Sequence, residues 1–335
     1  MKRLSAIILI LVFILTIFTG CSSKSEPTPA ADKTESEAVV IKLGHGQTEA
    51  HPYHLGAVRF KELVEEATDS RIQVEIYPAG TLGQERDLVE GTGIGTIDMC
   101  ITTNAPLTNF SKNFSVFEFP YMFRDFDHVA AVLDGEIGKS LLDELNDIGI
   151  VGLAYFENGF RNMTSNKPIN TVADLENMKI RTMESEIHIA AFNAMGANAT
   201  PMSWGEVYTA LSQGTIDGQE NPLMAVRDGK IFEVNKYLAM TEHLYAPAEL
   251  LINAELFNSL SEEDQGILLD AADKAKIYQR EEARKVNADV AAMEAAGMTV
   301  NYPDKTSFTE AVQPVYEKYK AEYGDKLDEI RALSK

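Results

Sequence analysis

Apolar and polar positions along this chain alternate between two spacings, and each change of spacing marks an element. Val39-Val40-Ile41-Lys42-Leu43 reads as a strand and breaks at Gly44-His45-Gly46. A helix follows over 53–67, with Gly56, Phe60, Leu63, Val64 and Ala67 on one face. Ile72, Val74 and Ile76 alternate with polar neighbours, as in a strand with one wet face. A loop over 78–83, a short helix over 84–90 and a strand over 96–102 complete a β-α-β-α-β order, the pattern of an α/β lobe.

Further on, the aromatic residues Phe110, Phe114, Phe117, Phe119, Tyr121 and Phe123 suit core packing beneath a long crossing loop. Asp127 is placed to cap a helix ending at Leu133, a second helix is expected over 138–148, and a strand over 150–156. Ser185 precedes a helix over 186–195, and Ser203 with Glu206 has the spacing of a capping box. A strand is expected over 215–218. Gly95-Thr96-Ile97-Asp98 and Gly214-Thr215-Ile216-Asp217 each follow a short helix and open a strand, which predicts two similar lobes. Strand-like pieces at 237–240 and 250–253 precede one long helical pattern over 261–297, between the cap residues Ser261 and Gly297. A helix that long reaches across more than one lobe. Two shorter helices are expected over 307–323 and 326–333.

Charge and composition narrow the function. The chain has 335 residues and a formal charge of -21, so it lacks the basic face that nucleic acid requires. Lys2-Arg3, the apolar run over 7–18 and then Thr19-Gly20-Cys21 have the layout of a secretion signal. The run is short for a membrane span and is followed at once by polar residues. Residues 22–38 are too polar to build a core and suit a flexible tether. Removal of residues 1–20 takes two bases and no acid, leaving 28 bases against 51 acids, a charge of -23. The one other cysteine, Cys100, lies in an apolar run and reads as core, so an exported fold here must rest on its core without an intramolecular disulfide.

Motif by motif, enzyme and cofactor chemistry drops out. Gly44-x-Gly46 follows a strand, but Glu49 stands where a dinucleotide loop needs its third glycine; Gly91-x-Gly93-x-Gly95 precedes a strand instead of following one. Met202-Ser203-Trp204-Gly205 lacks the first glycine of a nucleophile elbow, with Pro201 in its place. His45, Glu49, His51 and His54 are of metal-ligand type, but Pro52 breaks the segment and no cysteine assists; the expectation is loop polarity at a site mouth, with no metal. No cofactor is expected. Two arginines remain beside apolar residues, Arg161 and Arg181. A guanidinium fork meets a carboxylate with two parallel hydrogen bonds and keeps its charge at any working pH. A structural ion pair is the competing reading for Arg161, whereas Arg181 is expected in a loop between a strand and a helix, where clefts of α/β lobes are lined. Asn221, from the loop after the repeated strand, offers an amide, and Trp204, the only tryptophan, an apolar cover.

Those residues carry a resemblance. Arg161 with Thr164-Ser165-Asn166, Lys179-Ile180-Arg181, Pro201-Met202 with Glu206-Val207-Tyr208, and Gly214-Thr215-Ile216-Asp217-Gly218-Gln219-Glu220-Asn221-Pro222 resemble the solute receptors of tripartite ATP-independent periplasmic (TRAP) transporters of the dicarboxylate-receptor type. Thr19-Gly20-Cys21 is likewise similar to a bacterial lipobox, with Phe18 where that motif prefers Leu, which implies a lipid on Cys21. The resemblance runs from Val39 nearly to the end and implies an α/β, two-lobed, periplasmic-binding-protein-like fold with a long helix spanning both lobes. Its parts would be a signal peptide (1–20), a tether (21–38), a first lobe (39–157 plus part of the C-terminal region), a second lobe (158–253), the long helix (261–297) and a C-terminal strand and helices (298–335). It also implies that Arg181 pairs with a ligand carboxylate, assisted by Arg161 and Asn221, with Trp204 and Glu184 lining the pocket and His45, Glu85 and Asn104 facing from the first lobe. The loop Thr102-Thr103-Asn104-Ala105-Pro106 lacks the acid and arginine of the sialic-acid receptors. Its uncharged polar residues suit the hydroxyls of a sugar acid such as a uronate or aldonate, with a C4-dicarboxylate as the near alternative. The expected protein is a non-enzymatic, lipid-tethered receptor outside the cell membrane that hands an organic acid to a membrane permease; a ligand-sensing ectodomain and a secreted enzyme are the rival classes.

Overall fold

In the computed structural model, residues 38–333 are described. The strands are β1 (Val39–His45), β2 (Ile72–Tyr77), β3 (Met99–Thr103), β4 (Ile150–Ser165), β5 (Lys179–Thr182), β6 (Asn198–Pro201), β7 (Gly218–Asn221), β8 (Tyr237–Asn253) and β9 (Thr299–Asn301). The helices are α1 (Pro52–Ala67), α2 (Glu85–Gly93), α3 (Asn104–Leu107), α4 (Phe126–Leu133), α5 (Glu136–Glu144), α6 (Glu186–Ala194) and α7 (Trp204–Ser212). They continue with α8 (Leu223–Asp228), α9 (Ala254–Ser259), α10 (Glu262–Asn287), α11 (Val290–Ala295), α12 (Thr306–Ala311) and α13 (Gln313–Ala332).

One mixed sheet runs in the order β2-β1-β3-β8-β4-β7-β5-β6, with β9 added to β8. At one end β1 lies parallel between β2 and β3, and at the other β5 lies parallel between β6 and β7. The antiparallel ribbon of β4 and β8 joins these trios, with β3 on the outer edge of β8 and β7 on that of β4. Each trio with its helices is one lobe of a two-lobed α/β fold, and the ribbon belongs to both.

The repeated tetrapeptide occupies equivalent places in the two halves. Gly95 and Gly214 end α2 and α7 with φ of 77° and 67°, the left-handed region that favours glycine. Thr96 N donates to Gly91 O and Thr215 N to Ala210 O, both at 2.9 Å. Asp98 Oδ2 accepts from Lys42 N at 2.8 Å, and Asp217 Oδ2 from Lys179 N at 2.9 Å. Their carbonyls match as well, Asp98 O accepting from Asn253 N and Asp217 O from Asn166 N. A carboxylate that ties a helix end to the neighbouring parallel strand is thus used once per half.

Three apolar clusters fill the molecule. One lies under α1 and α10, around Phe60, Phe156 and Leu268; one joins α7, α8 and the N-terminal part of β8; the largest packs α2, α4, α5, α6 and α13 around the buried aromatic residues Phe114, Phe117, Phe119 and Phe123. The aromatic stretch is core, as expected, but it travels through α3 and a 3-10 turn (Lys112–Glu118) instead of a long loop. Cys100 is free and fully buried, and burial pushes its thiol up to about 12, so it packs as an inert apolar group.

Several boundaries differ from the sequence reading. The strand expected over 150–156 continues to Ser165, and the pieces at 237–240 and 250–253 are the two ends of β8. Pro247, which lacks an N–H, fits within β8 because it faces Glu157 beside a register shift. The Glu157 amide bonds the Gln279 side chain at 2.8 Å. The long helical pattern is two helices, because Asp289 accepts from Ala292 N at 3.0 Å and starts α11 afresh. The helices expected at the C-terminus are instead the short α12 and a continuous α13. Asp125, not Asp127, caps α4, accepting from His128 N at 2.8 Å. Ser203 forms no side-chain cap bond to the backbone; its hydroxyl donates to the Glu206 carboxylate at 2.8 Å.

Helix α10, about 39 Å long at 1.5 Å per residue, straps the ribbon. Gln279 bonds both the amide and the carbonyl of Glu157. Arg280 donates to Asp134 at 2.6 and 3.0 Å and to Tyr155 O at 3.1 and 2.8 Å. Arg284 pairs with the buried Glu157, and Asn287 bonds Asn158 O and Met224 N. Removing the Arg280 side chain takes two donors from the buried Tyr155 carbonyl and leaves Asp134 with Lys276, 3.4 Å away, as its remaining cation. Arg280→Ala is expected to lower the unfolding free energy by about 2 kcal/mol in denaturant titrations, with an unchanged denaturant slope.

Candidate functional site

Arg161 and Arg181 come from strands on either side of β7, and their environments differ. Arg161, in β4, is fully buried. Its Nε donates to Glu220 Oε2 at 2.5 Å, and its Nη2 to Glu220 Oε1 at 2.8 Å and Glu220 O at 2.7 Å. Burial by itself would raise the Glu220 carboxyl, but the Arg161 charge, with a hydrogen bond from His243, holds it well below the usual carboxylate range. Arg161 therefore has its counter-ion inside the protein, while its Nη1 is buried and without a hydrogen-bond partner among the described residues.

Arg181 lies within β5, not in a loop: its register partners are Thr200 of β6 and Gln219 of β7. It is 3 % exposed. Its Nε and Nη2 donate to the Met202 carbonyl at 2.9 and 2.6 Å, a neutral acceptor shared by two donors. Loss of hydration brings the guanidinium down to about 10, with Glu220 opposing the shift and the like charge of Arg161 adding to it. Among the described residues no carboxylate hydrogen-bonds this buried cation, a state in which a guanidinium can pair with a carboxylate from outside.

Arg181 shares a small cavity with Glu85, Glu184, Trp204, Gln84 and Met202. Residues of both halves line it, and they meet across it: Gly205 N donates to Gln84 Oε1 at 3.2 Å and Asn109 Nδ2 to Glu184 O at 2.8 Å. The enclosed space of ≈ 10 Å³ holds about one water molecule, so the halves are closed on each other. Grooves of ≈ 200 and ≈ 450 Å³ near Arg124 include none of the expected site residues in their linings.

Four expected residues thus meet in one cavity: Arg181, Glu85, Glu184 and Trp204. Glu85, at the start of α2, accepts from Thr103 N at 3.0 Å and Thr103 Oγ1 at 2.7 Å. The other four stand outside that lining. Asn221 is the last residue of β7 rather than part of the following loop, and its amide donates to Gln219 Oε1 at 2.7 Å. Asn104 opens α3, donates to Phe114 O and Glu118 Oε1, and leaves its Oδ1 unpartnered and buried. His45 ends β1, 3.2 Å from His54 between ring nitrogens; burial, then the His54 charge, lowers it to about 3 and keeps it neutral. Cys21 and the tether lie outside the described residues. Glu220 is a structural partner of the site that the sequence reading left without a role, since its partner is set by strand register and not by spacing; Thr103, expected among the residues suited to ligand hydroxyls, is bonded to Glu85.

A two-lobed α/β sheet with a buried arginine, bonded to a carbonyl, in the cavity between its halves fits a class, the extracytoplasmic solute receptors. Comparison with known proteins supplies the family. Residues 43–322 match the family DctP, described as bacterial extracellular solute-binding protein, family 7. The chain is 37% identical over 290 residues to the 2,3-diketo-L-gulonate-binding periplasmic protein YiaO of Escherichia coli, covering 84% of this chain and 88% of that protein. Among solved structures it is similar to a TRAP periplasmic solute-binding protein of Polaromonas bound to D-erythronate (36% identity, TM-score 0.85, 88% of this chain and 98% of that one). It is likewise similar to the sugar acid binding protein DctPAm of Advenella mimigardefordensis in complex with galactonate (31% identity, TM-score 0.85, 89% and 98%). The chain belongs to the DctP family of TRAP solute-binding proteins. Members of this family are exported binding proteins of transport systems, not enzymes; they take small carboxylates and work with a membrane permease.

The buried pair gives a pH test. The depressed Glu220 carboxyl contributes stability that is complete above the unfolded pKa of about 4.3 and is lost as pH falls below it. Glu220→Gln, which strands Arg161 in the interior, is expected to cost about 3 kcal/mol at pH 7. The difference from wild type should shrink steadily in denaturant titrations taken below about pH 4.3.

Proposed function

We propose that this chain captures a sugar acid, a uronate or an aldonate, by pairing its carboxylate with Arg181, and delivers it to a TRAP permease. The observation that carries the reading is Arg181 itself, buried in the cleft and bonded only to the neutral Met202 carbonyl. Arg161 Nη1 and the Asn221 amide assist at the carboxylate, Trp204 and Glu184 close one side, and Glu85, Asn104 and His45 approach from the first lobe. The proposed lobes are residues 39–157, with part of the C-terminal region, and 158–253. The hinge then falls at the register shift by Glu157 and Gly159. Lipid attachment at Cys21 and the polar segment after it would hold the receptor at the outer face of the membrane while leaving both lobes free.

Relatives known with D-erythronate, galactonate and 2,3-diketo-L-gulonate support a polyhydroxylated acid over succinate or malate. Calorimetry with D-galactonate, D-glucuronate, D-erythronate, succinate and malate is expected to select a sugar acid; binding of the C4-dicarboxylates alone overturns the ligand class. Arg181→Ala should lower affinity for the selected acid by at least about 100-fold with an unchanged melting temperature, and Arg181→Lys by at least about tenfold, because one ammonium does not reproduce the fork. An unchanged affinity in Arg181→Ala contradicts the anchor.

A further inference from the structure

Glu249 stands out among the buried groups. It lies in β8, opposite Thr102 of β3 and Tyr155 of β4, with no exposed surface. Neither carboxyl oxygen hydrogen-bonds another described residue. A strand places alternate side chains on opposite faces. Ala248, Leu250 and Ile252 accordingly join the cluster under α1 and α10, while Leu251 joins the cluster that holds Cys100 and Tyr155. Glu249 shares the face of Leu251, the side of α2 and α3, level with the C-terminal end of β3, where Glu85 and Asn104 sit. In open α/β sheets that end is where ligands bind.

Its surroundings supply acids rather than bases. Burial first, then the charges of Glu118 and Glu85, push the Glu249 carboxyl well above its ordinary value, which favours the neutral acid. Glu118 already accepts from Asn104 through Oε1 and has its Oε2 2.7 Å from His188 Nε2, and Glu85 is engaged by Thr103. Other buried groups of the same region also lack partners among the described residues: Asn104 Oδ1, Arg161 Nη1 and Tyr53 Oη, the last near Glu85, Glu249 and Arg161. Unmade hydrogen bonds of this kind are costly, and a ligand that completes them removes the cost.

We infer that Glu249 hydrogen-bonds a hydroxyl of the bound sugar acid and helps the first lobe select polyhydroxylated ligands. This rests on the sugar-acid reading above and adds a residue to it. A neutral carboxyl suits the task, since it donates and accepts at once without repelling an acid whose own charge is held by Arg181.

The test uses the full mature chain with D-galactonate, L-gulonate and D-glucuronate, then monodeoxy analogues of whichever binds best. Glu249→Gln, which keeps a donor, should stay within about threefold of wild type. Glu249→Leu, similar in size but apolar, should lower affinity for the parent acid at least about 30-fold. It should change affinity for one monodeoxy analogue, already weak in wild type, by less than about threefold. Parent affinity within threefold in Glu249→Leu means that an internal water or nothing occupies the carboxyl, and overturns the inference. An equal loss for the parent and every deoxy analogue marks a merely structural role and also overturns it. Either result leaves Arg181 and the sugar-acid reading standing, whereas a wild type that binds none of the three acids removes both.

Discussion

A guanidinium taken out of water must find a counter-charge, and this protein solves that requirement once inside itself and once in its cleft. Arg161 is answered by Glu220, delivered in bidentate geometry because β4 and β7 are in antiparallel register. Arg181 hydrogen-bonds only a carbonyl among the described residues, with the carboxylates of Glu220, Glu85 and Glu184 acting on it from a distance. On the proposed reading, the contrast turns two similar side chains, both buried and near enough to repel, into a structural pair and a receptor for an anion. The internal pair does more than stabilise the second lobe: by neutralising one arginine it keeps the cleft from holding two bare cations, so that a single ligand carboxylate is enough.

The rest of the fold keeps that arrangement in place while letting the cleft open. Two parallel trios, each tied to its helix end by an aspartate of the repeated tetrapeptide, give rigid walls. They share the β4-β8 ribbon, whose register shifts by Gly152, Glu157 and Arg161 concentrate bending in a few residues. Helix α10 grips the ribbon at one of those shifts through Gln279, Arg284 and Asn287. Motion of one lobe against the other is therefore expected about a pinned line, which brings the Gln84–Glu85 edge of the first lobe back to the Arg181–Trp204 edge of the second each time.

Much of this was legible in the chain itself. The helix and strand periods set the α/β order, the repeated Gly-Thr-Ile-Asp announced the duplicated halves, and one of the two isolated arginines, Arg181, lines the cavity between them. What failed to show were features set by partners far away in sequence. The reading ended β4 at 156, before Asn158 and Gly159, and split β8 around Pro247, since both interruptions are absorbed at one register shift that only the pairing reveals. Arg181 and Asn221 were expected in loops because their strands are only four residues long. Glu220 stood in plain sight between Gln219 and Asn221, but its bond to Arg161 spans two strands. Glu249 gave no signal at all: one acid among apolar residues looks like a surface position until its burial is known.

The account's central claim is that charge, met at Arg181, holds the ligand, while hydroxyl contacts refine the choice. Calorimetry at one pH with the preferred sugar acid and with its alditol, which keeps the hydroxyls and lacks the carboxylate, separates the two most directly. The account predicts a loss of at least about 1,000-fold for the alditol, the scale of a desolvated charge-assisted pair left unmade. Binding of the alditol within about tenfold of the acid would contradict it.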